Sequence, residues 1–546
     1  MPGRSIHHSP WRCRAIITLP TGAFMFTVDR FAPLACLVFL VANYSPPAHA
    51  SEAAREDNAW FAAGRASVRE ASRFIVDQPT AKNVILFVGD GMGISTVTAA
   101  RILEGQRRGE SGEENRLAFE GLPHVAFSKT YNTDAQVSDS ASTMTAIVSG
   151  VKTQTGVLGV DERVQRGDHE SVESSKVLSI LEEAEDRGLS TGVVSTATLT
   201  HATPAGCYAH VPFRLWENDS QMSKEARKAD FPDIARQLVE FKHGDGLEDA
   251  LGGGREHFRP RGERDPERWR DQGKRTDGRD LILEWLKARK GARYVWNREQ
   301  FLAVDRETTS RLLGLFEPGH MQFEADRSED AGGEPSLAEM TELAIDLLAK
   351  NPKGYFLMIE AGRIDHGHHA GIAAHALSDT IALSDAVRTA LTKTSAEDTL
   401  IVVTADHSHT LTISGYPKRG NPILGKVTGF KWSSEGIGSN EVSLDQNRKP
   451  YTTLSYANGP GRRTAKDRPD LSLVDTERPD YRQESTVPLS SETHAGEDVP
   501  IYAGGPRAAL FHGVQEQNYI YHAMVEAFGW THAGTPTKAI DSPTGF

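Results

Sequence analysis

From residue 83 onward the chain alternates short apolar runs with stretches whose apolar positions recur at helical spacing. Residues 84–88, 191–195, 355–359, 400–404 and 499–503 read as strands, and 96–103, 177–185, 337–348 and 375–391 as helices. Strands that alternate with helices predict the α/β class: a doubly wound, mostly parallel sheet with helices on both faces. Ahead of this core, Trp60, Phe61, Val68, Ala71 and Ile75 fall on one face of a helix within 53–76. Such an arm packs either on its own domain or on a partner.

Two segments break the rhythm. Residues 255–274 are charged and punctuated by Pro and Gly, and residues 414–490 are long, polar and rich in Gly, Pro, Asn and Ser. A stretch of the second kind reads as an inserted subdomain rather than a loop. The predicted organisation is a leader over 1–50, a helical arm over 51–80, a catalytic core over 81–413, the inserted subdomain over 414–490, and the rest of the core over 491–546.

Composition then sets the compartment. The leader carries Arg30, an apolar run over 31–42 and Ala48-His49-Ala50, the pattern of a signal peptide cleaved before Ser51. Met25 gives that leader an ordinary length, so translation is expected to start there. Cys13 and Cys36 leave with the leader and only Cys207 remains, so the mature chain forms no internal disulfide. No later stretch is long and apolar enough to span a bilayer, and the tail over 535–546 is polar. The expected product is exported, periplasmic or secreted, with no membrane anchor. Its 61 basic and 74 acidic residues leave a net charge of −13, spread along the chain. That charge argues against nucleic acid as a specific partner.

The candidate chemistry gathers where strands stop. Open α/β sheets build their sites at the carboxyl ends of their strands, and metal-ligand residues cluster at Asp90, at 360–369, at 406–409 and around His494. Asp90 sits in a Gly-rich turn after the first strand. A dinucleotide-binding loop also has such glycines, but a carboxylate there would repel a pyrophosphate, so a metal ligand is the better reading. Glu360 ends a strand and offers a hard oxygen suited to magnesium. Asp365 and His369 are four apart, which puts them on one face of a helical turn, a spacing used by two ligands of one zinc. With Asp406, His407, His409 and His494 there is enough carboxylate and imidazole for two zinc sites. Ser140 opens a small-residue helical stretch running to Gly150, and a helix start favours both an alkoxide and an arriving phosphate. Thr203 offers a hydroxyl to a hard cation, and the planar fork of Arg214 matches two phosphate oxygens.

Together these residues resemble the alkaline phosphatase family over most of 83–530. The resemblance is carried by Val137-Ser138-Asp139-Ser140-Ala141, Gly362-Arg363-Ile364-Asp365-His366-Gly367-His368-His369, Thr404-Ala405-Asp406-His407-Ser408-His409 and Glu492-Thr493-His494-Ala495-Gly496-Glu497-Asp498. It implies hydrolysis of small phosphate monoesters through a phosphoserine at Ser140, with two zinc ions and one magnesium ion. One zinc would be held by Asp365, His369 and His494, the other by Asp90, Asp406, His407 and Ser140, and magnesium by Asp90, Thr203 and Glu360. Arg214 would clamp the phosphoryl oxygens, with His201, His366 and His409 behind the ligands. His201 and His366 are similar to vertebrate members rather than to many enterobacterial ones. Phe316 and Glu317, with Glu267 and Glu334, resemble a vertebrate calcium site. The inserted segment corresponds to a crown-like subdomain and, with the N-terminal helix, implies a homodimer.

Two other readings lie close by. A sulfatase needs a modifiable Cys or Ser in a Cys-x-Pro-x-Arg context, which Ser140 lacks, and a phosphodiesterase has less use for Arg214. A non-catalytic relative would have lost a ligand or the nucleophile, and the sequence retains them all.

Overall fold

The computed structural model describes Arg55 and residues 58–72, 79–433, 436–461 and 468–530. The leader and the tail over 535–546 lie outside the described residues. Ten strands form the central sheet: β1 (Asn83–Gly89), β2 (His124–Lys129), β3 (Ser190–Thr198), β4 (Asp249–Gly253), β5 (Ala292–Val295), β6 (Arg311–Leu315), β7 (Tyr355–Ala361), β8 (Thr399–Ala405), β9 (Val499–Gly504) and β10 (Gly513–Glu516). Their order is β10-β2-β9-β8-β1-β7-β3-β4-β6-β5. All neighbours run parallel except β9, which is antiparallel to both β8 and β2.

The central strands are apolar on both faces because both are covered. Val84, Leu86 and Val88 of β1 enter one core while Ile85 and Phe87 enter the other. The first core takes α3 (Ser140–Ser149) through Met144 and Ile147, and the second takes α2 (Ile94–Arg107) and α7 (Ala373–Lys393) through Val97 and Leu377. The N-terminal arm is helix α1 (Ala59–Ser72), and it packs on its own chain. Its Phe61 is fully buried against Tyr521 and His522 of α8 (Tyr519–Phe528), at ring separations of 5.8 and 4.7 Å.

One predicted helix starts later than its pattern suggests. The stretch expected over 177–185 begins at Ile180, because Ser179 caps it: its Oγ accepts from the Glu182 amide at 3.1 Å while the Glu182 carboxylate accepts from the Ser179 amide at 2.8 Å. In the polar segment 414–490 the described residues form a two-stranded sheet and, together with Leu411–Ile413 just before the segment, a three-stranded one; no strand of the segment joins the ten-stranded sheet. Among the described residues no helix is long and apolar enough to cross a membrane.

Candidate active site

Register sets the rim. Gly89 of β1 pairs with Ala361 of β7 on one side and Ala405 of β8 on the other, so three strands end level. Asp90 follows β1, Glu360 lies one residue before the end of β7, and Asp406 and His407 follow β8. β3 ends close by and leads into α4 (Ala202–Ala205), which carries Thr203. Asp365 and His369 lie on α6 (Arg363–His369), as their spacing predicts. His494 arrives differently. It precedes β9 rather than following a strand, and it reaches the rim because β9 is antiparallel and because His494–Ala495 pairs with Ser408–His409.

The turn after β1 requires glycine. Gly91 has φ +70°, and a Cβ there would lie 2.3 Å from Cδ2 of His409. Its amide donates to Asp406 Oδ1 at 3.0 Å, which ties the β1 turn to the β8 turn.

Three histidines present their rings the same way. Nδ1 of His369 lies 2.6 Å from the Glu492 carbonyl, that of His494 2.7 Å from the Ser138 carbonyl, and that of His407 3.3 Å from the Ser408 carbonyl. A backbone carbonyl can only accept, so each Nδ1 is assigned the proton and each Nε2 keeps its lone pair. Those lone pairs point at carboxylates and at each other. Nε2 of His369 and of His494 each stand 3.3 Å from Asp365 Oδ1 and 3.2 Å from one another. Nε2 of His407 stands 3.3 Å from both Asp90 Oδ1 and Asp406 Oδ2. Two facing lone pairs repel unless a cation lies between them. The two groups adjoin, with His407 and His494 stacked at 3.6 Å.

A third group lies alongside. Asp90 Oδ2, Glu360 Oε1 and Thr203 Oγ1 are buried and have no hydrogen-bond partner. Oxygens in that state fit a hard cation.

Electrostatics makes the same demand. Asp90, Glu360, Asp365 and Asp406 are all buried within one site. Burial, then Asp406, Asp365 and Glu360, hold the Asp90 carboxyl well above its ordinary range. Burial likewise pushes Glu360 up to about 7 and raises Asp406. Asp365 goes the other way: burial would raise it, but the hydrogen bond from His409 and the imidazoles around it hold it well below its ordinary range. His409 lies between Asp365 at 2.7 Å and Glu492 at 2.5 Å, and these overcome burial to raise it to about 10. It is thus a cation behind the first group rather than a fourth lone pair.

Ser140 is the first residue of α3, with Asp139 as its N-cap and Gly150 at its C-cap with φ 76°. Its Oγ lies 3.3 Å from His407 Nε2 and 3.4 Å from Asp90 Oδ1, so the hydroxyl faces two acceptors at the amino end of a ten-residue helix. Arg214 completes the site. Its Nη1 donates to Asp139 Oδ2 at 3.0 Å and its Nη2 to His201 Nε2 at 3.1 Å.

With this geometry in hand, comparison with known proteins is decisive. A model of the alkaline phosphatase family matches residues 81–530. The chain belongs to the alkaline phosphatase family. It is 45% identical over 501 residues to the tissue-nonspecific alkaline phosphatase of Gallus gallus, over 90% of this chain and 93% of that one. With the Homo sapiens isozyme it shares 46% over 454 residues, 82% of this chain and 83% of that one. Among solved structures, the Thermus thermophilus alkaline phosphatase aligns with a TM-score of 0.59 at 24% identity, over 83% of this chain and 92% of that one. The enzyme from the Antarctic bacterium TAB5 aligns with a TM-score of 0.55 at 23% identity, over 84% and 100%. These structures share the fold. The chain is an alkaline phosphatase, a metal-binding hydrolase of phosphate monoesters.

Three residues around the site make contacts to which the sequence reading gave no role. Asp139 is one: its Oδ1 also accepts from Ser142 Oγ at 2.7 Å and the Gly156 amide at 3.0 Å, so it both caps the helix that starts at Ser140 and anchors Arg214. Glu492 is another. Its side chain holds His409 and accepts from the Thr410 amide at 2.7 Å, while its carbonyl holds His369. Both stand inside the motifs of the resemblance, which was the available signal. The third, His320, had none beyond its position after Phe316 and Glu317.

The vertebrate-like calcium residues gather elsewhere. Gln322 bridges Glu317 and Glu334, giving Nε2 to Glu317 at 2.8 Å and its amide to Glu334 at 2.9 Å. Arg255 holds Glu267 at 2.9 Å and Arg268 holds Glu317 at 2.8 Å. Burial first, with neighbouring carboxylates, pushes Glu317 up to about 7 and Glu334 up to about 9. Asp330, which sequence reasoning did not include, acts on both, and its Oδ2 and Glu334 Oε2 are buried without partners.

Proposed function

We propose that the phosphatase works through a phosphoserine at Ser140, assisted by two zinc ions and one magnesium ion. The observation that carries this reading is the set of inward-turned Nε2 lone pairs and unpartnered carboxylate oxygens converging on one buried rim beside Ser140 Oγ. Asp365, His369 and His494 would hold one zinc, Asp90, Asp406, His407 and the Ser140 oxygen the other, and Asp90, Thr203 and Glu360 the magnesium. When bound, these ions supply the positive charge that favours a serine alkoxide, a departing alkoxide and the anionic phosphoryl group.

The protein supplies the rest. Ser140 Oγ attacks phosphorus, the bond from phosphorus to the ester oxygen breaks, and the alcohol leaves; water then attacks the phosphoserine, releasing inorganic phosphate and restoring Ser140. The amino end of α3 favours negative charge on Oγ throughout. Arg214, positioned by Asp139 and His201, turns its fork to two phosphoryl oxygens and holds the group in line for both displacements. A monoester offers more free oxygens to that fork than a diester, so monoesters are the preferred class.

The carboxylates of Glu267, Glu317 and Glu334, with Phe316, would take a calcium ion as a structural site, a reading supported by their raised carboxyls and unpartnered oxygens. Export of a chain cut before Ser51 and assembly as a homodimer rest on the leader pattern and the family resemblance. Replacing Ser140 with Ala tests the central claim. Turnover of an aryl phosphate should fall by a factor of ~10³ or more while zinc content measured on the same sample stays near normal. Undiminished turnover would remove Ser140 as the nucleophile.

A further inference from the structure

Arg214 is held from two sides, and the two supports differ. Asp139 is itself fixed by Ser142 Oγ, the Gly156 amide and the Ala141 amide. His201, the other support, accepts from Arg214 through Nε2, and its Nδ1 is buried with no hydrogen-bond partner. Apart from Arg214 itself, no hydrogen bond fixes the rotation of the His201 ring. What meets that ring is a pair of further imidazoles: His320, edge to face at 5.4 Å and 90°, and His366, at 5.5 Å and 65°. Those two rings also pack on one another at 4.3 Å.

Each of the two is anchored to backbone or to a cation. His320 Nδ1 accepts from the amide of Thr198, the last residue of β3, at 3.0 Å, and His366 Nδ1 accepts from Arg363 Nη1 at 2.9 Å. His320 is set there by the turn at 316–321, whose Met321 amide donates to the Thr196 carbonyl at 3.0 Å. Burial, with Arg363 next, pushes His320 down to about 4, so the ring is neutral and adds no charge opposing Arg214.

We propose that His320 is a positioning residue for phosphate binding: its ring, packed against His201 and His366, fixes the His201 ring that orients Arg214. The proposal rests on the reading of Arg214 as the phosphate clamp, and it assigns His320 no contact with substrate. It separates two properties that a merely structural residue would keep together. The Nδ1 acceptor serves the fold through Thr198, whereas the ring face serves the clamp through His201.

Crossed substitutions test this. His320→Asn keeps an acceptor for the Thr198 amide and removes the ring; His320→Phe keeps a ring and removes the acceptor. Inorganic phosphate is titrated calorimetrically into the metal-loaded full-length protein, with Tm and metal content measured on the same samples. The expected result is that His320→Asn keeps the higher Tm but binds phosphate about fivefold to twentyfold more weakly. His320→Phe should melt lower yet bind within about twofold of the parent. In an Arg214→Ala background neither change should alter phosphate affinity further, because the clamp is already gone. Affinity that tracks Tm across the variants, losses that add to that of Arg214→Ala, or depleted magnesium in His320→Asn would each overturn the proposal. If Arg214→Ala alone leaves phosphate affinity unchanged, the clamp reading itself fails, a result distinct from the failure of His320.

Discussion

Two groups of buried and half-buried carboxylates occupy opposite edges of the same sheet, and they differ in what faces them. At the carboxyl edge Asp90, Asp365 and Asp406 face imidazoles whose Nδ1 hydrogens are tied to carbonyls and whose lone pairs turn inward. At the amino edge Glu185, Glu248 and Asp249 face hydroxyls, amides and a few cations. Thr191 donates to Glu185 from Oγ1 at 2.5 Å and to Glu248 from its amide at 2.8 Å, and Arg311 reaches Glu248 at 3.3 Å. Asp249 is fully buried with neither carboxylate oxygen partnered.

The same residue type therefore meets two ends. Burial pushes Glu185 up to about 7 and Glu248 up to about 8, and holds Asp249 well above its ordinary value. Those groups answer burial by keeping a proton. The rim cannot all do so, because Asp365 is pulled down by His409, and the lone pairs of His369 and His494 beside it need a cation. Whether buried carboxylates make a metal site depends on the donors across from them, not on their number.

Breaking the rim should cost most. Asp365→Ala removes the oxygen shared by His369, His409 and His494, and should lower turnover by ~10³ or more with loss of one zinc; full zinc content by elemental analysis would count against the ligand assignment. Arg214→Ala leaves the metal groups alone. It should lower kcat/KM for an aryl monoester by ~10–100-fold and for the matching diester by less, so equal losses would dismiss the clamp. The Glu492 side chain reaches the rim through hydrogen bonds to His409 and Thr410, with His369 Nδ1 at 3.9 Å, so Glu492→Gln perturbs it less. Zinc affinity, read by chelator competition, should weaken ~10–100-fold, and unchanged affinity would show that the His409 cation does not need its second carboxylate.

The smallest effect belongs to the amino edge and sharpens the contrast. A carboxyl whose folded value lies above its unfolded value stabilises the fold below the unfolded value, near pH ~4.3. That contribution is lost as pH rises through the folded value, about 8 for Glu248. Glu248→Gln should remove part of this loss, making the metal-saturated protein more stable than the parent at pH ~9 by roughly 1–3 kcal/mol and little different near pH ~5. Parallel urea unfolding curves for the two proteins at both pH values would show that Glu248 does not hold the raised proton.

Much of the site was legible because metal chemistry restricts residue types and because strand ends are marked by pattern. Apolar runs located β1, β7 and β8, the four-residue spacing put Asp365 and His369 on one helix face, and the small-residue stretch after Asp139 put Ser140 at a helix start. These are local signals, carried by a few neighbouring residues. Which oxygens and nitrogens would be left without partners was not local. That needed the level register of β1, β7 and β8, and the reversed direction of β9 that delivers His494 to a rim it precedes in the chain. The contacts of Glu492, Asp139 and His320 likewise reach across the fold, as when Glu492 meets His409 or Thr198 meets His320. Sequence fixed which groups were available and where each element would begin. Tertiary structure decided which of them face one another at hydrogen-bond distance, because that depends on strand order and direction, which no short window of residues encodes.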